Sequence, residues 1–200
     1  MSSRMGLPKA TLPFGPELMI ERVLRLLGQA VDSLVVVAAP DQELPELPAA
    51  VTIARDRHEG FGPLEGLHAG LTAIRDQADA AYVTGCDVPL LEPGFVRYLI
   101  DCLEGHQIAV PFDGKFYQPL ATVYRTNILS ELETLLREGH RRPVSLYGIV
   151  DTHRVPIEQL KTRDPELETL ANLNSPEDYF AAVQRAGFEV PPEIRRALTA

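Results

Sequence analysis

From Ser33 to Ala39 the chain reads SLVVVAA, seven uncharged residues with three consecutive valines. A run so short and so apolar reads as a strand covered on both faces, and such strands belong to sheets with helices above and below. The neighbouring segments follow the same pattern. Between Pro16 and Ala30, Met19, Val23, Leu26, Leu27 and Ala30 recur at helical spacing, with Glu21, Arg22 and Arg25 between them. Val51 to Ala54 reads as a short strand, Gly62 to Arg75 as a helix opening on Gly-Pro, and Ala80 to Thr84 as a further strand ending at Gly85-Cys86-Asp87-Val88-Pro89. This alternation predicts an α/β fold: a mainly parallel sheet with helices on both faces. In such sheets ligands sit beyond the carboxyl ends of strands, which is where Asp87 falls.

The second half is less regular. Phe95 to Leu103 reads as helix, Gln107 to Pro111 as strand, and Asp113-Gly114 as a hairpin turn leading into a strand from Lys115 to Gln118. Leu120 to Tyr124 continues as strand, and Asn127 to Arg137 is helical up to Gly139. Ser175-Pro176-Glu177-Asp178 combines a cap residue, a proline at the first helical position and two acids in the first turn, and predicts a helix to about Arg185. The tail, residues 188–200 with Pro191-Pro192, is expected as a short docked helix or a fraying end. The 200 residues suit a single domain, and no internal repeat or low-complexity linker interrupts them.

A net charge of -9 argues against nucleic acid as a partner, since a general binder needs a broad basic face. It does not argue against a nucleotide: salt screens charge over roughly 8 Å, so a few local cations and a metal decide whether a triphosphate is held. Two cysteines, Cys86 and Cys102, are too few for a disulfide scaffold and point to a reducing cytoplasm. No run approaches the roughly 18 apolar residues of a membrane span, so no membrane is expected. The five histidines show no spacing that gives two zinc ligands on one helix face.

Met1 to Lys9 (MSSRMGLPK) places small and cationic residues ahead of any hydrophobic element, like the back half of a phosphate-cradling loop. Ser2-Ser3-Arg4-Met5-Gly6 with Lys9, Gly62-Pro63-Leu64-Glu65-Gly66, Gly85-Cys86-Asp87-Val88-Pro89, and Asn172-Leu173-Asn174-Ser175-Pro176-Glu177-Asp178 follow in that order. Together, over nearly the whole chain, they resemble the molybdenum cofactor guanylyltransferases. The resemblance implies a Rossmann-like fold of the nucleotide-diphospho-sugar transferase type. It also implies transfer of GMP from GTP to the terminal phosphate of the molybdenum-pterin cofactor, with release of pyrophosphate. GTP and that pterin are the implied partners, along with molybdoenzymes or their chaperones. The related cytidylyltransferases and sugar-nucleotide pyrophosphorylases share the first loop and an aspartate after a strand, and a non-catalytic nucleotide-binding protein is a further alternative.

Single residues carry the expected chemistry. Asp87 stands where a carboxylate can join phosphate oxygens around Mg²⁺, which prefers one or two carboxylates plus phosphate. Its other reading is an aspartate that organises the turn before Pro89. By resemblance, Lys9 and Arg4 lie against the triphosphate and stabilise the departing pyrophosphate, with Ser3 in the same loop; otherwise they are solvated groups on a terminus. Asp56 is placed near the nucleotide by resemblance, and alone would pass as a loop acid. Gly62 lets backbone approach a base or ribose, whereas Gly70 suits helix-to-sheet packing. Asn172 and Asn174 present amides to metal or pterin phosphate by resemblance, though Asn174 and Ser175 also serve as cap residues. Arg141, with Arg142, makes a cationic cluster that is either a solvated helix end or a site for the anionic pterin. Cys86 reads as a small packing residue, because no histidine is placed to activate it.

The chain departs from that family in one respect. Relatives carry a hydrophobic strand and a Gly-Gly pair directly before the Ser-x-Arg-Met-Gly element. That central strand would bury about five side chains, on the order of 8 to 15 kcal/mol at roughly 1.5 to 3 kcal/mol each. The first central strand is therefore expected to be missing from the sheet, and the natural start is expected upstream of Met1.

Overall fold

Gly15 turns the chain with φ of 66°, and the first helix starts later than the Pro16 that follows it. Residues 13–18 instead form a two-strand antiparallel hairpin, β1 (Pro13–Phe14) and β2 (Glu17–Leu18). Helix α1 (Met19–Leu27) begins only where the Glu21 carboxylate accepts the Leu18 N–H at 2.7 Å. The structure is a computed structural model and describes residues 7–56 and 62–199.

The expected strands and helices follow in order. β3 (Leu34–Ala38) pairs in parallel with β4 (Val51–Arg55), and α2 (Pro63–Ile74) leads to β5 (Ala80–Thr84). α3 (Pro93–Asp101) precedes β6 (Ile108–Phe112), and β7 (Ala121–Arg125) runs into a 3-10 turn and α4 (Leu129–Arg137). β8 (Thr152–Pro156) and the short α5 (Ile157–Leu160) come next. The chain closes with α6 (Pro176–Arg185) and α7 (Pro192–Thr199). The expected strand from Lys115 to Gln118 is a single bridge between Phe112 and Tyr117, because Asp113 Oδ1 accepts the N–H groups of Lys115 and Phe116 and curls the segment into a turn. β8 was not foreseen: His153 and Arg154 break the apolar run by which a buried strand is recognised.

The architecture is α/β, as the sequence pattern predicts. β5, β7, β6 and β8 form one sheet in that order; β5, β6 and β8 point the same way and β7 runs against them. β3 and β4 form a separate sheet, and β3 and β5 are not paired with one another. Helix α2 spans the division. Its Leu64, Leu67, Leu71 and Ile74 share one apolar cluster with Val35 of β3, Ala81 and Val83 of β5, and Ile108, Val110 and Tyr124 beyond. A second cluster joins Leu12, Phe14 and Met19 to Leu173, Tyr179 and Val183, with Ile194 and Leu198 of α7 packed against it. Among the described residues no helix is long and apolar enough to cross a membrane.

Burial records the division. Ile108 to Pro111 of β6 and Ala121 to Tyr124 of β7 are buried, whereas every residue of β5 is partly exposed. Yet side chains on both faces of β5 touch apolar clusters, Ala81 and Val83 on one and Ala80 and Tyr82 on the other. The exposure therefore enters along the edge of β5 that no described strand pairs with. Unpaired edge amides lose the protection of a ladder, so peptides covering residues 34–38 and 80–84 should exchange amide hydrogen more than about tenfold faster than those covering 108–112 and 121–125. Mass spectrometry after deuterium labelling reads this directly, and equal rates would show the edges to be closed.

Candidate functional site

Asp87 lies three residues past the end of β5, in the turn before Pro89. Its carboxylate accepts from Lys9 Nζ at 2.8 Å, and Lys9 also donates to Asn174 Oδ1 at 3.0 Å. Lys9 comes from a 3-10 turn ahead of β1 and Asn174 from the loop before α6, so three distant segments meet at one ammonium group. Both members of the ion pair are largely covered, with 12% and 20% of their side chains exposed.

The turn that carries Asp87 is shaped by the absence of a side chain. A Cβ on Gly85 would stand 2.5 Å from Asp87 Oδ1, so only glycine leaves room for the carboxylate as it is placed. Burial pushes the thiol of Cys86 between them up, and the Asp87 carboxylate adds to the effect, which disfavours the thiolate that nucleophilic attack needs.

The loop from residue 164 to 174 is stapled across the β5–α3 connection. Asp164, buried, accepts the N–H groups of Glu168 at 2.9 Å and Thr169 at 2.8 Å. The Thr169 hydroxyl accepts the Glu92 N–H at 3.0 Å, and Leu173 N–H donates to the Asp87 carbonyl at 2.9 Å. These bonds bring the segment that carries Asn172 and Asn174 against the Asp87 backbone. Asn174 is further held because its N–H and that of Ser175 both donate to the Asp178 carboxylate, at 3.1 and 2.9 Å. Hydrogen bonding with the Ser175 side chain, and then the Asn174 and Ser175 N–H groups, hold the Asp178 carboxyl below the usual carboxylate range. Asp164 and Thr169 were not among the sequence candidates; Asp164-Pro165 signals a turn, but the Glu92 partner lies 77 positions from Thr169.

A second group gathers at the start of α2. Gly62 has φ of 78°, and a Cβ there would lie 3.0 Å from the Arg141 carbonyl, which also accepts the Leu64 N–H at 3.1 Å. Gly62 thus serves a close backbone approach between α2 and the segment after α4, and Arg141 is exposed beside it. Asp56, just past β4, donates its N–H to the Ala38 carbonyl at 3.0 Å. Its Oδ1 is buried without a hydrogen-bond partner among the described residues, and burial, then Glu65, pushes its carboxyl up. Ser3 and Arg4 lie outside the described residues. A cleft of about 120 Å³ opens between residues 118–121 and Thr169, Leu170 and Asn172, well under the roughly 300–1,000 Å³ of a typical small-molecule site.

The donor set at Asp87 suits a hard cation. One carboxylate and one amide oxygen already hold a positive charge between them, and Mg²⁺ takes such oxygen ligands with phosphate and water completing its shell. Among the described residues there is no cluster of three histidine, cysteine or acidic side chains, so zinc-type coordination has no support there.

Residues 1–153 match the family model of the MobA-like NTP transferase domain. The chain belongs to that family. Its relatives include a probable molybdenum cofactor guanylyltransferase of Mycobacterium avium, 35% identical over 188 residues that cover 92% of this chain and 90% of the relative. Another of the same description, from Methanosarcina mazei, is 30% identical over 186 residues, 88% of this chain and 82% of the relative. Among solved structures, molybdopterin-guanine dinucleotide biosynthesis protein A of Archaeoglobus fulgidus superposes with a TM-score of 0.76 at 23% identity, covering 94% of each chain. The 2-C-methyl-D-erythritol 4-phosphate cytidylyltransferase of Thermus thermophilus gives 0.67 at 17% identity, covering 90% of this chain and 94% of its own. The MobA-like family assignment and the nucleotidyltransferase fold agree with the resemblance carried by the four sequence motifs.

Two substitutions test the geometry. Gly85→Ala should displace the Asp87 carboxylate and, at about an ångström of misplacement, lower nucleotidyl transfer on the order of a hundredfold with little change in melting temperature. Steady-state kinetics and a melting curve together check it. Asp56→Asn should act on stability instead. An acid whose folded pKa lies above its unfolded value makes the native state lose stability as pH rises through that window, which here starts near the ordinary value of 3.8. The variant should therefore melt higher than the parent at pH 7, with the difference shrinking towards pH 4.

Proposed function

We propose that this protein transfers GMP from GTP to the terminal phosphate of the molybdenum-pterin cofactor and releases pyrophosphate. The observation that carries the reading is the convergence of Lys9, Asp87 and Asn174 at the carboxyl end of β5, in a chain whose relatives bear that activity in their names. The fold's ligand edge, the oxygen donors and the cation stand together there.

In this reading a terminal phosphate oxygen of the pterin attacks the α-phosphorus of GTP in line. The new P–O bond forms as the bond from the α-phosphorus to the α–β bridging oxygen breaks, and pyrophosphate leaves with the electron pair. Positioning and neutralisation of charge are the protein's work. Lys9 meets the triphosphate oxygens and offsets charge on the leaving group, with Arg4 and Ser3 in the same loop. Asp87, with Asn174, would hold Mg²⁺, which when bound screens the triphosphate and polarises its phosphoryl oxygens. Asn172 faces the acceptor side, Arg141 offers its guanidinium to the anionic pterin, and Asp56 and Gly62 border the nucleoside. Free thiols at Cys86 and Cys102 agree with a cytoplasmic setting. The product would pass to molybdoenzymes or their chaperones.

Pyrophosphate release, measured with Mg²⁺, the pterin cofactor and each of GTP, CTP, UTP and ATP, tests the proposal. GTP should be preferred, and Asp87→Ala should cut the rate by on the order of a hundred- to a thousandfold. Preference for CTP would move the protein to the cytidylyltransferases, and no release with any nucleotide would leave a binding protein.

A further inference from the structure

The contacts of Lys9 carry a consequence for how the metal enters, one that rests on the nucleotidyl-transfer reading. Its ammonium nitrogen lies within hydrogen-bond distance of two hard oxygens, Asp87 Oδ2 at 2.8 Å and Asn174 Oδ1 at 3.0 Å. Both acceptors are fixed by partners other than Lys9. Asp87 is seated against Gly85 and anchored through its carbonyl by Leu173. Asn174 donates its backbone N–H to Asp178 at 3.1 Å and its Nδ2 to the Asn172 carbonyl at 3.4 Å, which turns Oδ1 towards Lys9. The lysine alone can leave without disturbing the backbone, since its charge sits on four rotatable carbons.

We propose that the Lys9 ammonium is the resident cation of the divalent-metal seat, and that Lys9 and the metal exclude each other from the Asp87–Asn174 pair. A monovalent and a divalent cation cannot share these two oxygens, because like charges a few ångström apart repel strongly in a largely covered site. In the protein without substrate, Lys9 neutralises Asp87 and ties the N-terminal segment to the loop before α6. A metal arriving alone must displace this contact. A metal arriving with a triphosphate supplies phosphate oxygens to the ammonium it displaces, so Lys9 exchanges one anionic partner for another. Metal binding is thereby weak without nucleotide and strengthened with it, and the residue that guards the seat becomes the residue that grips the phosphates.

The test uses Mn²⁺ as probe on the full chain without nucleotide, with free Mn²⁺ read by electron paramagnetic resonance. Lys9→Met keeps the stem and removes the charge, and should tighten Mn²⁺ binding on the order of tenfold, the scale of one charge-assisted hydrogen bond. Lys161→Met removes an exposed charge paired with Glu158 and should leave the affinity unchanged. Adding Asn174→Ala to Lys9→Met should abolish the gain. Equal affinity of parent and Lys9→Met, an equal gain from Lys161→Met, or a gain that survives Asn174→Ala would each overturn the proposal. Should Lys9→Met fail to fold, the parent carries the test: the ¹⁵N resonance of the Lys9 ammonium should move on saturation with Mg²⁺, and an unmoved resonance overturns the exchange. Pyrophosphate assays on the same protein separate the two readings. Exchange without transfer from GTP overturns only the guanylyl reading, and transfer with equal Mn²⁺ affinities overturns only the exchange.

Discussion

Helix α2 packs Leu64, Leu67 and Leu71 against side chains from two sheets that are not hydrogen-bonded to each other through β3 and β5. Its close approach depends on Gly70, where a Cβ would stand 3.2 Å from a Val37 methyl, whereas a Cβ on Gly66 would make only ordinary contacts with Asp56 Oδ1 and Val37. Apolar contact is non-directional, so it can join strands across an opening that backbone hydrogen bonds cannot span. The placement of β4 with Asp56 relative to β5 with Asp87 follows from this helix.

The other half of the site is held by polar contacts. Asp164, Thr169 and Leu173 fix a loop of irregular backbone against the β5–α3 turn: the Asp164 carboxylate accepts the Thr169 N–H, the Thr169 hydroxyl accepts the Glu92 N–H, and the Leu173 N–H donates to the Asp87 carbonyl, so these N–H groups are paired rather than left buried without partners. That loop then enters the Ser175 capping box, in which Ser175 Oγ accepts the Asp178 N–H and Asp178 accepts the Ser175 N–H. The capping of α6 and the seating of Asn174 are thus one network. The apolar cluster of Leu12, Phe14, Met19, Leu173 and Tyr179 brings the N-terminal hairpin to the same place, and with it Lys9.

Much of this was legible in the chain. The strand Ala80 to Thr84 was read with both its ends, and β3, β4, α2 and α6 within a residue or two, because burial on one or both faces leaves a periodicity that short-range rules detect. Asp87 was legible because the end of a strand in such a sheet is a ligand position whatever surrounds it. Where local signals conflict the reading failed: Gly15 delayed α1, the Asp113 side chain replaced a strand with a turn, and the charged residues of β8 hid it. Asp164 and Thr169 left no signal, since their role exists only against a partner remote in the chain.

By itself the sequence determined the α/β alternation, the carboxylate at a strand end, the capping box before α6 and the membership in a nucleotidyltransferase family. These rest on local periodicity, on backbone rules for proline, glycine and caps, and on motif order, none of which needs a distance. Only the tertiary structure decided that Asp87 and Asn174 share the Lys9 ammonium, that Gly85 is small to make room for a carboxylate, and that Thr169 accepts the Glu92 N–H. Each of these is a matter of separation in space between residues far apart in the chain, and it is set by how apolar faces and buried amides find partners when the whole molecule packs.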